Sequence, residues 1–148
     1  MGTHKVSRSI VIDAPADRIF DIIATPSRHS EVDGSGTVQQ AASGPDRLVL
    51  GSEFDMDMRM FGVPYRMTNR VVEFEPDRLI AWRHVGTHRW RYELEERAEG
   101  GTRVTETFDF SRGFAAFYVL AGMPARNAAG IEQTLLRLKD VAEKAGTS

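Results

Sequence analysis

The chain has 148 residues, with 19 basic and 21 acidic side chains, a formal net charge of -2 and no cysteine. This length fits one domain, 1–148, which can bury roughly two thirds of its unfolded surface without covalent staples. The missing cysteine excludes a disulfide scaffold, a thiolate metal site and a cysteine nucleophile and is compatible with a reducing, cytoplasmic location, while the interleaved charges lack the basic run that nucleic acid requires.

Met1 to Lys5 has no apolar core behind a positive start, so no signal peptide is expected. No stretch reaches the ~18 uninterrupted apolar residues of a membrane helix, so no integral membrane segment is expected. Lys5 to Ile12 alternates loosely and reads as a strand. Asp13-Ala14-Pro15 stops it and starts a helix, with Asp13 able to cap and Pro15 tolerated in the first turn. Ile19, Phe20, Ile22 and Ile23 give that helix its apolar stripe. Pro26 ends it, and a second short helix is expected over Pro26 to Asp33.

The period then changes to two. Phe54, Met56, Met58 and Met60 alternate with Glu53, Asp55, Asp57 and Arg59, the mark of a strand with one dry and one wet face. Tyr65 to Phe74 is the next strand, and a bulge near Val71-Val72 accounts for two adjacent apolar residues. Leu79 to Val85 and His88 to Glu96 flank Gly86-Thr87. Gly100-Gly101 makes a hairpin turn into Thr102 to Ser111. A weaker strand is expected within Thr37 to Leu50, and the first strand should pair at an edge. Ile131, Leu135, Leu138, Ala142 and Ala145 return to helical spacing, and Pro124 marks the start or a kink of that helix.

An antiparallel sheet with one apolar face must cover it, and the long C-terminal helix is the element able to do so. The expected fold is α+β: a curved antiparallel sheet of six to seven strands around that helix, with two short N-terminal helices closing one end. The wet face carries Asp55, Asp57, Arg59, Arg66, Arg70, Arg89, Arg91, Glu93 and Glu95, and charges of both signs at alternate positions suggest cross-strand ion pairs.

Four segments in order, Ser9 to Phe20, Val72 to Trp82, Gly100 to Thr105 and Leu135 to Lys139, resemble the START, birch-pollen-allergen and polyketide-cyclase superfamily over nearly the whole chain. The resemblance implies the helix-grip fold and a hydrophobic cavity for a lipid, polyketide or other small apolar molecule. Some relatives are cyclases or dehydratases and others only carry ligands, and fold does not choose between them. Val32 stands near a place where the family pattern often has Trp.

Parity puts Phe54, Met56, Met58, Met60, Trp82, Trp90, Phe108 and Phe110 on the inner face as cavity walls, with Leu135 facing them from the helix. Methionine suits an adaptable binding surface. Glu106 falls between Val104 and Phe108, where a carboxylate is costly unless paired or protonated, which makes it the best general acid or base. His84 shares parity with Trp82, and His88 with Trp90 and Tyr92; both flank a turn, where they could equally be solvated. Tyr92 can donate to a ligand carbonyl. Asn69 and Arg66 lie on the adjacent strand, where the bulge leaves their direction open. No His-x-x-x-His pair lies on a helix, since His84 and His88 are four apart across a turn, and no phosphate loop or nucleophile elbow is present, so neither a metal nor another cofactor is expected.

Three functions compete. The first is a binding module for a small apolar molecule. The second is a polyketide cyclase, aromatase or dehydratase using Glu106 with His84 or Tyr92 as acid and base. The third is a protein-interaction module with an exposed patch built from Phe114, Phe117 and Tyr118. A homodimer is compatible with the pattern, which does not fix an oligomeric state.

Overall fold

Along the strand Thr102–Asp109, Thr102, Val104, Glu106 and Phe108 are buried while Arg103 is exposed. Period two in the sequence has become one dry and one wet face of a sheet. The computed structural model describes the backbone of residues 5–29, 38–43, 45–60, 63–84, 89–109 and 123–144, and the side chains of these except 38–43, 57–60, 63, 65–67, 84 and 123–128. In chain order the elements are β1 (Lys5–Ile12), α1 (Ala16–Ile23), a 3-10 turn (Pro26–Arg28), β2 (Val38–Ser43), β3 (Glu53–Met60), β4 (Val63–Glu75), β5 (Leu79–His84), β6 (Arg89–Glu96), β7 (Thr102–Asp109) and α2 (Met123–Lys144).

The strands form one curved antiparallel sheet in the order β1-β7-β6-β5-β4-β3-β2. From β3 to β7 each strand pairs with the next, as short turns require, and β1 closes on β7 from the far edge. The helix α2 packs chiefly on β1 and also on β7. This is the helix-grip arrangement of sheet and C-terminal helix. The core combines Ile12, Val104 and Ile80 from the sheet with Ile131, Leu135, Leu138 and Ala142 from α2 and with Ile19, Phe20, Ile22 and Ile23 from α1. Full burial of such a side chain contributes about 1.5–3 kcal/mol.

One local detail departs from the sequence reading. Asp13 does not cap α1: the N-cap is Pro15, without a side-chain bond, and the Asp13 backbone N–H instead donates to Glu143 Oε2 of α2 at 2.8 Å. The weaker strand expected within Thr37 to Leu50 is β2, and beyond it Leu48 is drawn into the core, its N–H donating to the Ala24 carbonyl at 2.7 Å. The bulge falls at Val72, where the β4–β5 register slips between Val71 and Glu73. In the N-terminal segment α1 is followed by a single 3-10 turn; the remainder of the expected second helix lies outside the described residues.

Two turns set the ends of the sheet. At the β4–β5 turn the Arg78 N–H donates to the Glu75 carbonyl at 3.0 Å, and Asp77 takes φ 64. At the β6–β7 turn Gly101 has φ +78, and an added Cβ would stand 2.8 Å from the Ile12 carbonyl oxygen. Glycine there lets the hairpin lie against the end of β1.

Candidate ligand-binding site

The concave face is built in rows by strand register. One row crosses Arg8 of β1, Glu106 of β7, Tyr92 of β6 and Ile80 of β5. The next crosses Val6, Phe108, Trp90, Trp82 and Val71. Glu106 is only 3% exposed and Tyr92 only 8%. They stand directly opposite each other, and such pairs have Cβ atoms about 4.5–5.5 Å apart. Asn69, 3% exposed, is a further buried polar residue, opposite Phe54 of β3.

Aromatic rings form the wall around these groups. Trp90 and Phe108 lie with centroids 4.4 Å apart. Trp82 meets Tyr92 at 5.6 Å and the edge of Phe54 at 5.5 Å. His29, just after the 3-10 turn, stacks on Trp82 at 5.2 Å and meets Phe54 edge-on at 5.6 Å. Its Nε2–H donates to the Ile23 carbonyl at 2.7 Å, which fixes the ring over the wall. Phe20 of α1 meets Phe74 of β4 at 5.6 Å and so ties the N-terminal helix to the same sheet.

Of the residues singled out in the sequence, Phe54, Met56, Trp82, Tyr92, Glu106 and Phe108 are buried on this face, Trp90 is partly buried there, and Leu135 is buried on α2. His84 ends β5 with its backbone opposite Asn69. The backbones of Met58 and Met60 continue β3, paired with Tyr65 and Val63. The side chains of His84, Met58 and Met60 lie outside the described residues, as do His88, Phe110, Val32 and the segment with Phe114, Phe117 and Tyr118. Among the described residues no helix is long and apolar enough to cross a membrane.

Sequence reasoning missed two contributors. Arg8 shares parity with Val6, Ile10 and Ile12, which could have found it; its Nε donates to Glu132 Oε1 of α2 at 2.9 Å, so it stands on the helix side beside Glu106. His29 gave no such signal, because its contacts are set by tertiary packing and not by any local period. A surface groove bordered by Glu75, Arg78, Glu93, Glu95 and Arg103 touches none of the aromatic wall residues.

The arrangement can do two things chemically. The rings offer apolar area and stacking faces to a flat or branched ligand. The facing carboxyl and phenol groups offer a buried acceptor and donor. A family model described as polyketide cyclase / dehydrase and lipid transport matches residues 3–143. The chain belongs to that polyketide cyclase/dehydrase and lipid transport family.

Within reach of this family, an uncharacterized protein of Mycobacterium tuberculosis (strain ATCC 25618 / H37Rv) is 47% identical over 144 residues, covering 94% of this chain and 64% of that protein. The chain thus spans about two thirds of the length of that curated relative, and somewhat less than the full two thirds. Two solved structures share the fold. The di-domain ARO/CYC StfQ from the steffimycin biosynthetic pathway superposes with a TM-score of 0.70 at 16% identity, over 98% of this chain and 52% of that one. The Aha1 dimer from Colwellia psychrerythraea gives a TM-score of 0.66 at 19% identity, over 96% and 98%. At these identities the likeness is one of fold.

Proposed function

We infer that the domain binds a small, largely apolar, lipid- or polyketide-like molecule between the concave sheet face and α2. The observation that carries this reading is the buried pairing of Glu106 with Tyr92 inside a wall of Trp82, Trp90, Phe54 and Phe108. A packed core seldom needs both a carboxyl group and an aromatic cluster at one place, because burying the carboxyl group costs free energy that leucine would not. A ligand with one or two oxygen functions on an apolar skeleton uses both. The family description, which couples cyclases and dehydrases with lipid transport, supports the same class of molecule. In this reading residues 1–148 act as one ligand-binding unit, with Met56, Met58, Met60, Phe110, His88 and Leu135 completing the walls.

The test is native mass spectrometry against the denatured mass, followed by solvent extraction. Co-purifying apolar material, lost from a Trp82→Ala variant that stays folded, supports the reading. A protein that is empty, and that also fails to quench its tryptophan fluorescence with fatty acids or aromatic polyketides, overturns it.

A second reading, acid–base catalysis on a polyketide-like substrate, is favoured by one observation: Glu106 and Tyr92 are immediate cross-strand neighbours, so a bound carbonyl could meet a proton donor and an acceptor together. His84, at the end of β5, is the further candidate. Glu106→Gln should then abolish turnover while leaving ligand retention intact, whereas a pure carrier shows no turnover of the retained ligand in wild type or variant.

A further inference from the structure

The convex face carries the expected cross-strand ion pairs, Glu73 with Arg89 and Arg91 and Lys5 with Asp109, and register adds a second feature there. One outer row runs Glu53, Arg70, Arg83, Arg89, Asp109, Lys5 across six adjacent strands. Three consecutive positions, the second to the fourth, are all arginine. Like charges directly opposite one another destabilise a sheet, and adjacent positions place the Cβ atoms about 4.5–5.5 Å apart. Arg83 has an arginine on either side. Neither Arg70 nor Arg83 has an ion-pair partner among the described residues. Arg89 reaches Glu73 Oε2 at 3.5 Å, but Arg91 draws on the other oxygen of that carboxylate at 3.4 Å. Arg91 also lies 3.9 Å from Glu93.

Ala81, opposite both Glu73 and Arg91, is fully buried although it belongs to this outer face. Long arginine stems commonly cover small neighbours in this way while their charged heads reach water. The Nε of Arg91 is buried and has no hydrogen-bond partner among the described residues. Two guanidinium groups, those of Arg89 and Arg91, thus share the half-buried Glu73 carboxylate, while Arg70 and Arg83 pair with no carboxylate among the described residues.

We propose that this strip is an oxyanion site that takes the dianionic phosphoryl group of a small phosphomonoester, held chiefly by Arg70, Arg83 and Arg89. The planar guanidinium fork matches phosphate oxygens two at a time, and several forks on neighbouring strands can converge on one group. The surroundings select a discrete ligand over an extended polyanion. Glu53 closes the arginine row at one end and Asp109 at the other, Glu93 lies beside Arg91, and the whole chain carries -2. A nucleic acid or an anionic bilayer would run past the arginines and meet those carboxylates. The site lies on the face opposite the aromatic wall and does not depend on what the wall binds.

Titration of the isotopically labelled protein with inorganic phosphate at constant ionic strength and pH 7.5, followed through backbone amide and arginine Nε–H signals, tests this. Saturable shifts are expected at Arg70, Arg83 and Arg89, and Arg83→Gln should weaken binding about tenfold or more. Arg83→Gln should melt no lower than wild type, since it relieves like-charge repulsion, and Arg70→Gln supplies a second variant with the same expectation. Shifts that do not saturate, that spread equally to Arg97 and Arg103, or that persist unchanged in Arg83→Gln overturn the site. Sedimentation with phosphatidic acid vesicles, against phosphatidylcholine vesicles as control, separates the sources. Binding to phosphatidic acid by a protein indifferent to inorganic phosphate would replace the small-molecule site with a lipid surface and so overturn it.

Discussion

The two faces of one sheet hold their polar groups under opposite rules. On the concave side Glu106 and Asn69 are each nearly sealed from water, set among Trp82, Phe54 and Phe108. On the convex side Ser7 and Thr107 share a hydrogen bond at 2.7 Å, as do Ser9 and Thr105, and the arginines gather in a row at the water boundary. A carboxyl group is expensive in the first setting and nearly free in the second. Polar residues on the concave face therefore point to a use, whereas on the convex face only an arrangement that repels itself does.

That contrast can be broken most directly from the concave side. Phe54→Ala removes a ring that touches both His29 and Trp82, and it should cost about 3–5 kcal/mol in denaturant unfolding, as large-to-small changes in aromatic cores do. A loss under about 1 kcal/mol would mean that the wall already encloses open space which the truncation merely enlarges. The next effect lies where the sheet ends. Gly101→Ala must adopt a positive φ and push against the Ile12 carbonyl oxygen, so it should cost at least about 2 kcal/mol by the same measurement. Gly100→Ala, also at positive φ but in open space, should cost less, and the difference between the two isolates the clash with β1.

Most of the fold was legible because its signals are local. Alternation from Phe54 onward marks strands, and Gly100-Gly101 marks a hairpin. The paired apolar residues Val71 and Val72 marked a real register slip. Parity likewise placed Glu106 and Tyr92 inside. What parity cannot supply is the lateral partner. Which residues face Arg83 depends on the count across the β5–β6 turn on one side and on the Val72 bulge of β4 on the other, and one residue of slip moves every pair. Hence the expected ion pairs do form at Glu73 with Arg89 and Arg91, while the alignment of Arg70, Arg83 and Arg89 was not legible. His29 escaped for a related reason: it joins the wall through tertiary packing at the end of a 3-10 turn, beyond any periodic pattern.

Convex-face substitutions should behave with the opposite sign to Phe54→Ala. Arg83→Gln should raise stability by a few tenths of a kcal/mol at low salt, in the range of a single exposed cross-strand charge pair. The gain should shrink in 0.5 M salt, where repulsion is screened. A salt-independent change would assign the effect to lost stem packing over Ala81 instead.

The smallest effect separates α2 from both faces. Lys139 bonds Glu143, whose other attachment is the Asp13 N–H, and these two hydrogen bonds, the lysine's first, hold the Glu143 carboxyl group below its ordinary value of 4.5. A group with a lowered pKa in the folded state binds its proton more tightly when unfolded. Its contribution is therefore complete above pH 4.5 and is lost as the pH falls through the lower, folded value. Wild type should lose stability more steeply than Glu143→Gln on acidification below pH 4.5, and the two denaturant midpoints should draw together. Parallel curves would show that the helix end is held by apolar packing of Leu138 and Ala142 alone, with the carboxylate merely resting against Asp13.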